Sequence, residues 1–105
     1  MKKSKFLEIA REYQESRRRF RRINIGDLVW ETGGYGDMFC AIVKAVNIDE
    51  CYVDVIDVSS HNAEKRYKGF VTEEEMLKEG FSKQNIEKER KMYEGIIKRV
   101  LEQGN

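Results

Sequence analysis

The spacing of apolar residues changes twice along this chain, and that change limits its possible folds more than any other feature. Up to residue 22 the apolar residues recur at intervals of three, four and seven, which is typical of one face of a helix. Between residues 28 and 71 they alternate with polar residues or form short runs between turn residues, as β-strands do. From residue 72 the helical spacing returns. The sequence therefore predicts an α+β fold with a β core between two helical parts.

The ends of the predicted helices and strands are marked by capping and turn residues. A helix is expected over residues 3–22, and Thr72 with Glu75 forms a capping box that begins the next helix. Gly80 ends that helix, and Ser82 begins a second one that runs to about residue 103. Strands are expected at residues 28–30, 38–46, 51–58 and 65–71.

The length of 105 residues fits one domain, since compact domains commonly contain about 100–150 residues. We expect this domain, residues 1–105, to have three parts: a basic N-terminal helix (1–22), a β core (25–71) and a helical C-terminal part (72–105). No apolar run is long enough for a membrane span or a secretory signal, so we expect a cytoplasmic protein that does not contact a membrane.

The second strand and the turn after it decide where the two cysteines lie. By simple alternation Ala41 and Val43 share one face of the strand, while Cys40 and Val46 share the other. If the turn centres on Ile48, Cys51 lies opposite Ala45 and Cys40 opposite Ile56, too far apart for a disulfide. We therefore expect two reduced thiols.

The β core also has a recognisable order of segments. Residues 25–30 have the sequence IGDLVW, a glycine-rich turn follows at residues 32–37, and two strand-like segments, AIVKAV and YVDV, come next. Over residues 25–71 this order resembles the small SH3-like barrels of the Tudor and KOW type. The resemblance implies a small antiparallel SH3-like barrel or curved sheet of about four strands, flanked by an N-terminal helix and two C-terminal helices. It also implies a binding module, because such barrels bind peptides, modified side chains or nucleic acids.

No combination of residues in the sequence indicates catalysis, a cofactor or a metal. His61 is the only histidine, and no recognisable motif places a nucleophile for it to activate. Cys40, Cys51 and His61 lack the close paired spacing of structural zinc ligands. The glycines of residues 33–36 join two strands and do not match a phosphate-binding loop. We therefore predict a non-enzymatic protein without a cofactor or a metal.

The charge of the chain is distributed unevenly, although the total is only +1. Residues 1–22 carry nine Lys and Arg against three Glu, whereas residues 23–71 carry four Lys and Arg against eight Asp and Glu. The N-terminal helix is therefore basic and the β core acidic. Such asymmetry indicates a charged binding surface or an internal pairing between the two parts.

Five arginines within six residues are the main candidates for binding: Arg17, Arg18, Arg19, Arg21 and Arg22. On a helix Arg18, Arg21 and Arg22 share a face, while Arg17 lies nearer the apolar stripe. Arginine suits bidentate contacts with phosphate or carboxylate. The run either pairs with the acidic core of the chain itself or binds a macromolecular partner. Tyr35 is a further candidate, because its glycine neighbours place it in a turn where an aromatic ring is difficult to bury.

These features leave two hypotheses for the function. The first is a protein–protein adaptor or inhibitor, a regulatory role that small, highly charged bacterial accessory proteins also have. The second is a nucleic-acid-binding protein that contacts phosphates through the arginine-rich helix. The acidic core favours the first hypothesis, because it would repel a phosphate backbone. A homodimer formed through the helices is also left open.

Overall fold

A computed structural model describes residues 3–103 of the chain. Residues 1, 2, 104 and 105 lie outside this part, so the ends of the predicted N-terminal and C-terminal parts are not described. The helices are α1 (Lys3–Arg21), α2 (Glu73–Lys78), α3 (Lys83–Met92) and α4 (Glu94–Gln103). The strands are β1 (Leu28–Thr32), β2 (Met38–Asn47), β3 (Tyr52–Asp57) and β4 (Ala63–Tyr67), with a 3-10 turn at Val58–Ser60.

The four strands form one antiparallel sheet in the order β1-β2-β3-β4. The sheet is open, so the predicted α+β class and antiparallel sheet are confirmed, whereas the closed SH3-like barrel is not. One antiparallel bridge lies outside the strands, where Trp30 and Val71 each donate an N–H to the carbonyl oxygen of the other at an N···O distance of 2.8 Å. This bridge holds the segment after β4 against the outer edge of β1.

Apolar side chains cover both faces of the sheet. On the first face, Val29, Val43 and Val55 pack with Phe20 of α1 and with Phe70. The rings of Phe20 and Phe70 meet edge to face, with centroids 5.5 Å apart. On the second face, a further set packs together across β1, β2 and the C-terminal helices: Trp30, Cys40, Ile42, Val58, Met76 and Ile86. The helices of the two ends of the chain therefore cover opposite faces.

A bulge at Lys44 changes which residues of β2 share a face. The register runs from Val43 opposite Val55 to Ala45 opposite Asp54, so Lys44 is the extra residue. As a result Val46 packs against the first face, together with Val43, and not with Cys40 as simple alternation predicts. The prediction for Val46 was wrong because a bulge reverses the alternation beyond it.

The turn between β2 and β3 is also displaced from its predicted position. Asn47 pairs with Tyr52, and Cys51 closes the turn with a positive φ of 56°, so Cys51 does not lie in a strand. Cys40 lies on β2 opposite the segment that follows β3, and its N–H donates to Ser59 Oγ at 2.8 Å. The predicted positions of Cys40 opposite Ile56 and Cys51 opposite Ala45 were therefore wrong. Both thiols are free in the structure.

The C-terminal part contains three helices, not the two predicted. The capping box of Thr72 with Glu75 begins α2, and Ser82 caps α3 by accepting from the Asn85 N–H. The predicted second helix is interrupted at Tyr93, which has a ψ of 6°. Gly95 follows two residues later and is a poor helix former. The last predicted strand is also shorter, because β4 ends at Tyr67.

Candidate interaction surface

The C-terminal half of α1 is fixed to the turn between β2 and β3 by Tyr13 and Arg17. The Tyr13 hydroxyl donates to the carbonyl oxygen of Asp49 at 2.9 Å, and the Arg17 guanidinium pairs with the Asp49 carboxylate. The same guanidinium lies 5.4 Å from the centre of the Tyr13 ring. Arg17 thus pairs with the acidic core, and its position near the apolar stripe is as predicted.

Arg19 fixes the end of α1 to the start of α2. Its guanidinium donates to Glu75 Oε2 at 2.6 Å and to the carbonyl oxygen of Phe70, and it lies 4.5 Å from the centre of the Phe70 ring. The hydrogen bond from Arg19, together with those from Thr72, holds the pKa of Glu75 below its ordinary value despite partial burial. Arg19 is therefore a structural arginine.

The other three arginines of the run point to solvent. Arg18, Arg21 and Arg22 are exposed, and they form no ion pair with any residue in the range 3–103. The two alternatives for the run therefore apply to different side chains. Arg17 and Arg19 pair within the chain, while Arg18, Arg21 and Arg22 are exposed to solvent.

Arg18 and Arg22 line an open groove with a volume of about 930 Å³ between α1 and the start of α2. Arg21 does not line it. The groove carries five basic and five acidic side chains: Arg18, Arg19, Arg22, Lys78 and Arg90, and Glu15, Asp27, Glu73, Glu74 and Glu75. The groove therefore has no net charge, and both signs occur on each side of it: Glu15 lies on α1 with the arginines, and Lys78 and Arg90 pair with glutamates of α2.

The acidic wall of the groove is the first turn of α2. Glu73 pairs with Arg90 at 3.1 Å and Glu74 with Lys78 at 3.6 Å, and Glu75 pairs with Arg19 as described above. Carboxylates are favourable in the first turn of a helix because they face the positive end of its dipole. All three carboxylates are therefore paired, whereas Arg18 and Arg22, which line the same groove, have no ion-pair partner within residues 3–103.

The aromatic residues of the β core lie partly in the core and partly on the surface. Tyr35 is 98% exposed, in agreement with the expectation for a turn between glycines, and it lies at the tip of the hairpin between β1 and β2. Phe39 is partly exposed near the same tip, whereas Trp30 and Tyr67 are buried. Tyr52 is covered by the Arg66 guanidinium, which lies 3.9 Å from the ring centre.

Sequence reasoning did not identify Asp57, whose side chain is the one charged group in the core formed by the described residues. Its carboxylate accepts from Lys65 Nζ at 2.8 Å, from the Tyr67 hydroxyl at 3.2 Å and from the Ser59 N–H at 3.1 Å. Burial raises the pKa of Asp57, but the hydrogen bonds and the charge of Lys65 outweigh this effect, so the pKa lies below its ordinary value. The alternation of β3 is the signal that could have placed Asp57 on the buried face with Val55.

Comparison with known proteins gave no matching family model, no matching curated protein and no matching solved structure. None of the helices in residues 3–103 is long and apolar enough to cross a bilayer. In the same part of the chain, no three side chains of His, Cys, Asp or Glu are grouped so that they could hold a metal ion.

Proposed function

We propose that this chain is a non-enzymatic adaptor or inhibitor that binds a protein partner in the groove between α1 and α2. The observation that carries the proposal is the position of Arg18 and Arg22, which are exposed and line the same groove as the acidic first turn of α2. Arg21 extends the basic surface outside the groove. Exposed arginines next to an acidic wall suit a partner segment that carries both signs of charge.

The charge balance of the groove favours a polypeptide over a nucleic acid. A phosphate backbone bound by Arg18 and Arg22 would lie beside Glu73 and Glu74, and this repulsion would offset the attraction. A polypeptide can place carboxylates against the arginines and a basic side chain against Glu74, which is 81% exposed and lies 3.6 Å from Lys78. Complementary charges of this kind contribute to specificity and to the rate of association more than to affinity.

Nucleic-acid binding is the alternative, and the exposed side of α1 favours it. Arg11, Arg18, Arg21 and Arg22 are all exposed there, and a phosphate backbone could follow them without entering the groove. Tyr35 could then stack on a base only if the nucleic acid also extended to the tip of the hairpin between β1 and β2.

A capture experiment with a matched control tests the proposal. The chain is immobilised, exposed to native lysate with and without nuclease, and compared with the variant R18Q/R21Q/R22Q. We expect nuclease-resistant capture of specific proteins that the variant loses. The control K88Q/K91Q/K98Q removes the same charge from exposed positions on α3 and α4 and is expected to capture as the wild type does.

A direct binding measurement separates the two functions. We expect no binding of labelled duplex or single-stranded nucleic acid at a salt concentration of about 50 mM. Tight binding that weakens with salt would contradict the adaptor proposal and support nucleic-acid binding. In that case the slope of log affinity against log salt concentration should be smaller in the triple variant, by about one unit per lost phosphate contact. A triple variant with much lower thermal stability would instead show that the arginines act within the fold.

A further inference from the structure

The first turns of α1 expose an apolar stripe, in which only the last residue, Tyr13, contacts another element within residues 3–103. The stripe consists of Phe6, Ile9, Ala10 and Tyr13, and it continues the face on which Phe20 enters the core. Phe20 is 3% exposed, whereas Phe6 is 61%, Ile9 46% and Tyr13 51% exposed. Three large apolar side chains aligned on one helix face are typical of a surface that packs against another element.

The charges beside the stripe indicate what covers it. Residues 1–15 of the sequence contain four basic and three acidic residues, so this part of the chain has a net charge of only +1. An anionic membrane or a nucleic acid would be attracted more strongly by residues 16–22, which carry five arginines and no acidic residue. A helix that carries both signs of charge in nearly equal number suits a second helix of the same kind.

We propose that a second copy of this chain covers the stripe, with the two α1 helices packed antiparallel. Lys5 and Glu12 are seven residues apart and therefore lie on the same flank of the stripe. When two identical helices pack antiparallel, equal flanks face each other, so Lys5 of each copy lies near Glu12 of the other. The crossing lies between Phe6 and Ala10, and Phe6 of each copy packs against Ile9 of the other.

The size of the contact predicts a weak dimer. Each copy contributes only the first turns of one helix, because from Tyr13 onward the same face is occupied by the turn that contains Asp49. An interface of this size falls below the ~1,200 Å² of stable complexes. We therefore expect a dissociation constant on the order of 100 µM. The chain should then be monomeric at low protein concentration and dimeric at high protein concentration.

Charge exchange between two variants tests the proposal by sedimentation equilibrium at concentrations up to ~1 mM. Lys5→Glu and Glu12→Lys each place equal charges at both contacts, and each is expected to weaken its own dimer roughly tenfold. An equimolar mixture of the two variants restores both contacts, so it is expected to dimerise as the wild type does. Ile9→Glu is expected to abolish the dimer. Circular dichroism checks that each variant is folded.

The control is Ile25→Glu, a comparable change at a side chain that is 73% exposed outside α1, and it is expected to leave the dimer unchanged. A wild type that is monomeric at ~1 mM would overturn the proposal. So would a dimer that persists in the Ile9→Glu variant, or a mixture that does not recover. Binding of the monomer to vesicles with anionic lipids would assign the stripe to a membrane instead. The variant R18Q/R21Q/R22Q is expected to dimerise normally, so this test is independent of the groove.

Discussion

The Arg19 guanidinium lies 4.5 Å from the centre of the Phe70 ring and donates a hydrogen bond to the carbonyl oxygen of the same residue. One side chain therefore holds both the ring and the backbone of Phe70, while Phe20, the next residue on α1, packs against that ring. This contact joins α1 to the segment that leads into α2, and it distinguishes Arg19 from its neighbours.

Replacing Arg19 with Gln is expected to lower the free energy of unfolding by about 1–2 kcal/mol, because it removes charged hydrogen bonds and the contact with the Phe70 ring. The pair with Glu75 is partly exposed, so solvent limits the loss. Urea unfolding measures the change. Arg18→Gln is the matched control and is expected to change the free energy by less than about 0.5 kcal/mol. Equal losses in the two variants would contradict the structural role of Arg19.

The buried carboxylate of Asp57 predicts how stability depends on pH. Because its folded pKa lies below the unfolded value, its contribution is present above the unfolded pKa and is lost as pH falls through the folded pKa. Glu75 acts in the same direction. We expect stability to be nearly constant above about pH 5 and to decrease progressively below about pH 4.

Asp57→Asn tests this assignment. The variant leaves Lys65 without its carboxylate partner, so we expect a loss of about 1–3 kcal/mol at pH 7. The loss should be smaller in acid, because the wild-type carboxylate is then protonated as well. Unfolding curves measured between pH 2 and pH 7, with the exposed Glu79→Gln as control, give the comparison. An acid dependence that Asp57→Asn leaves unchanged would show that another group is responsible.

The two thiols are expected to react at very different rates. Burial and the nearby Asp57 raise the pKa of the Cys40 thiol to about 12, and its side chain is fully buried. Cys51 is half-buried in a turn. Since the thiolate is the reactive form, we expect one thiol per chain to react with a disulfide reagent under native conditions and the second only on unfolding. Cys51→Ser should abolish the fast reaction, and two fast thiols would contradict the burial of Cys40.

A glycine at position 61 is expected to stabilise the chain. His61 is exposed and has a φ of 54°, in the left-handed region that costs a side chain roughly 1–2 kcal/mol. Part of the gain is offset because glycine makes the unfolded chain more flexible, so we expect a net increase of about 0.5–1 kcal/mol for His61→Gly. Thermal unfolding measures it. Lys68→Gly, at an exposed position without a positive φ, is the control and should be destabilising.

The sequence predicted those features that depend on neighbouring residues. Thr72 and Glu75 lie three positions apart, so the capping box is visible in the sequence, and the turn around Tyr35 is marked by its own glycines. Lys44 gave no such signal, because a bulge depends on how two strands pair. Arg18 and Arg19 are identical neighbours in the sequence. The positions of Phe70 and Glu75, more than fifty residues further along, make one of them structural.

The bridge between Trp30 and Val71 has a consequence for how the chain reaches its native state. The two residues are separated by forty-one positions, and all four strands are completed between them. Closing so long a loop is entropically costly until the hairpins have brought its ends together, so the bridge forms late in folding. Because α2 begins directly after Val71, its docking depends on the same event. We therefore expect α2 to dock only after the sheet has formed, and we expect loss of the bridge to release both ends of the chain together.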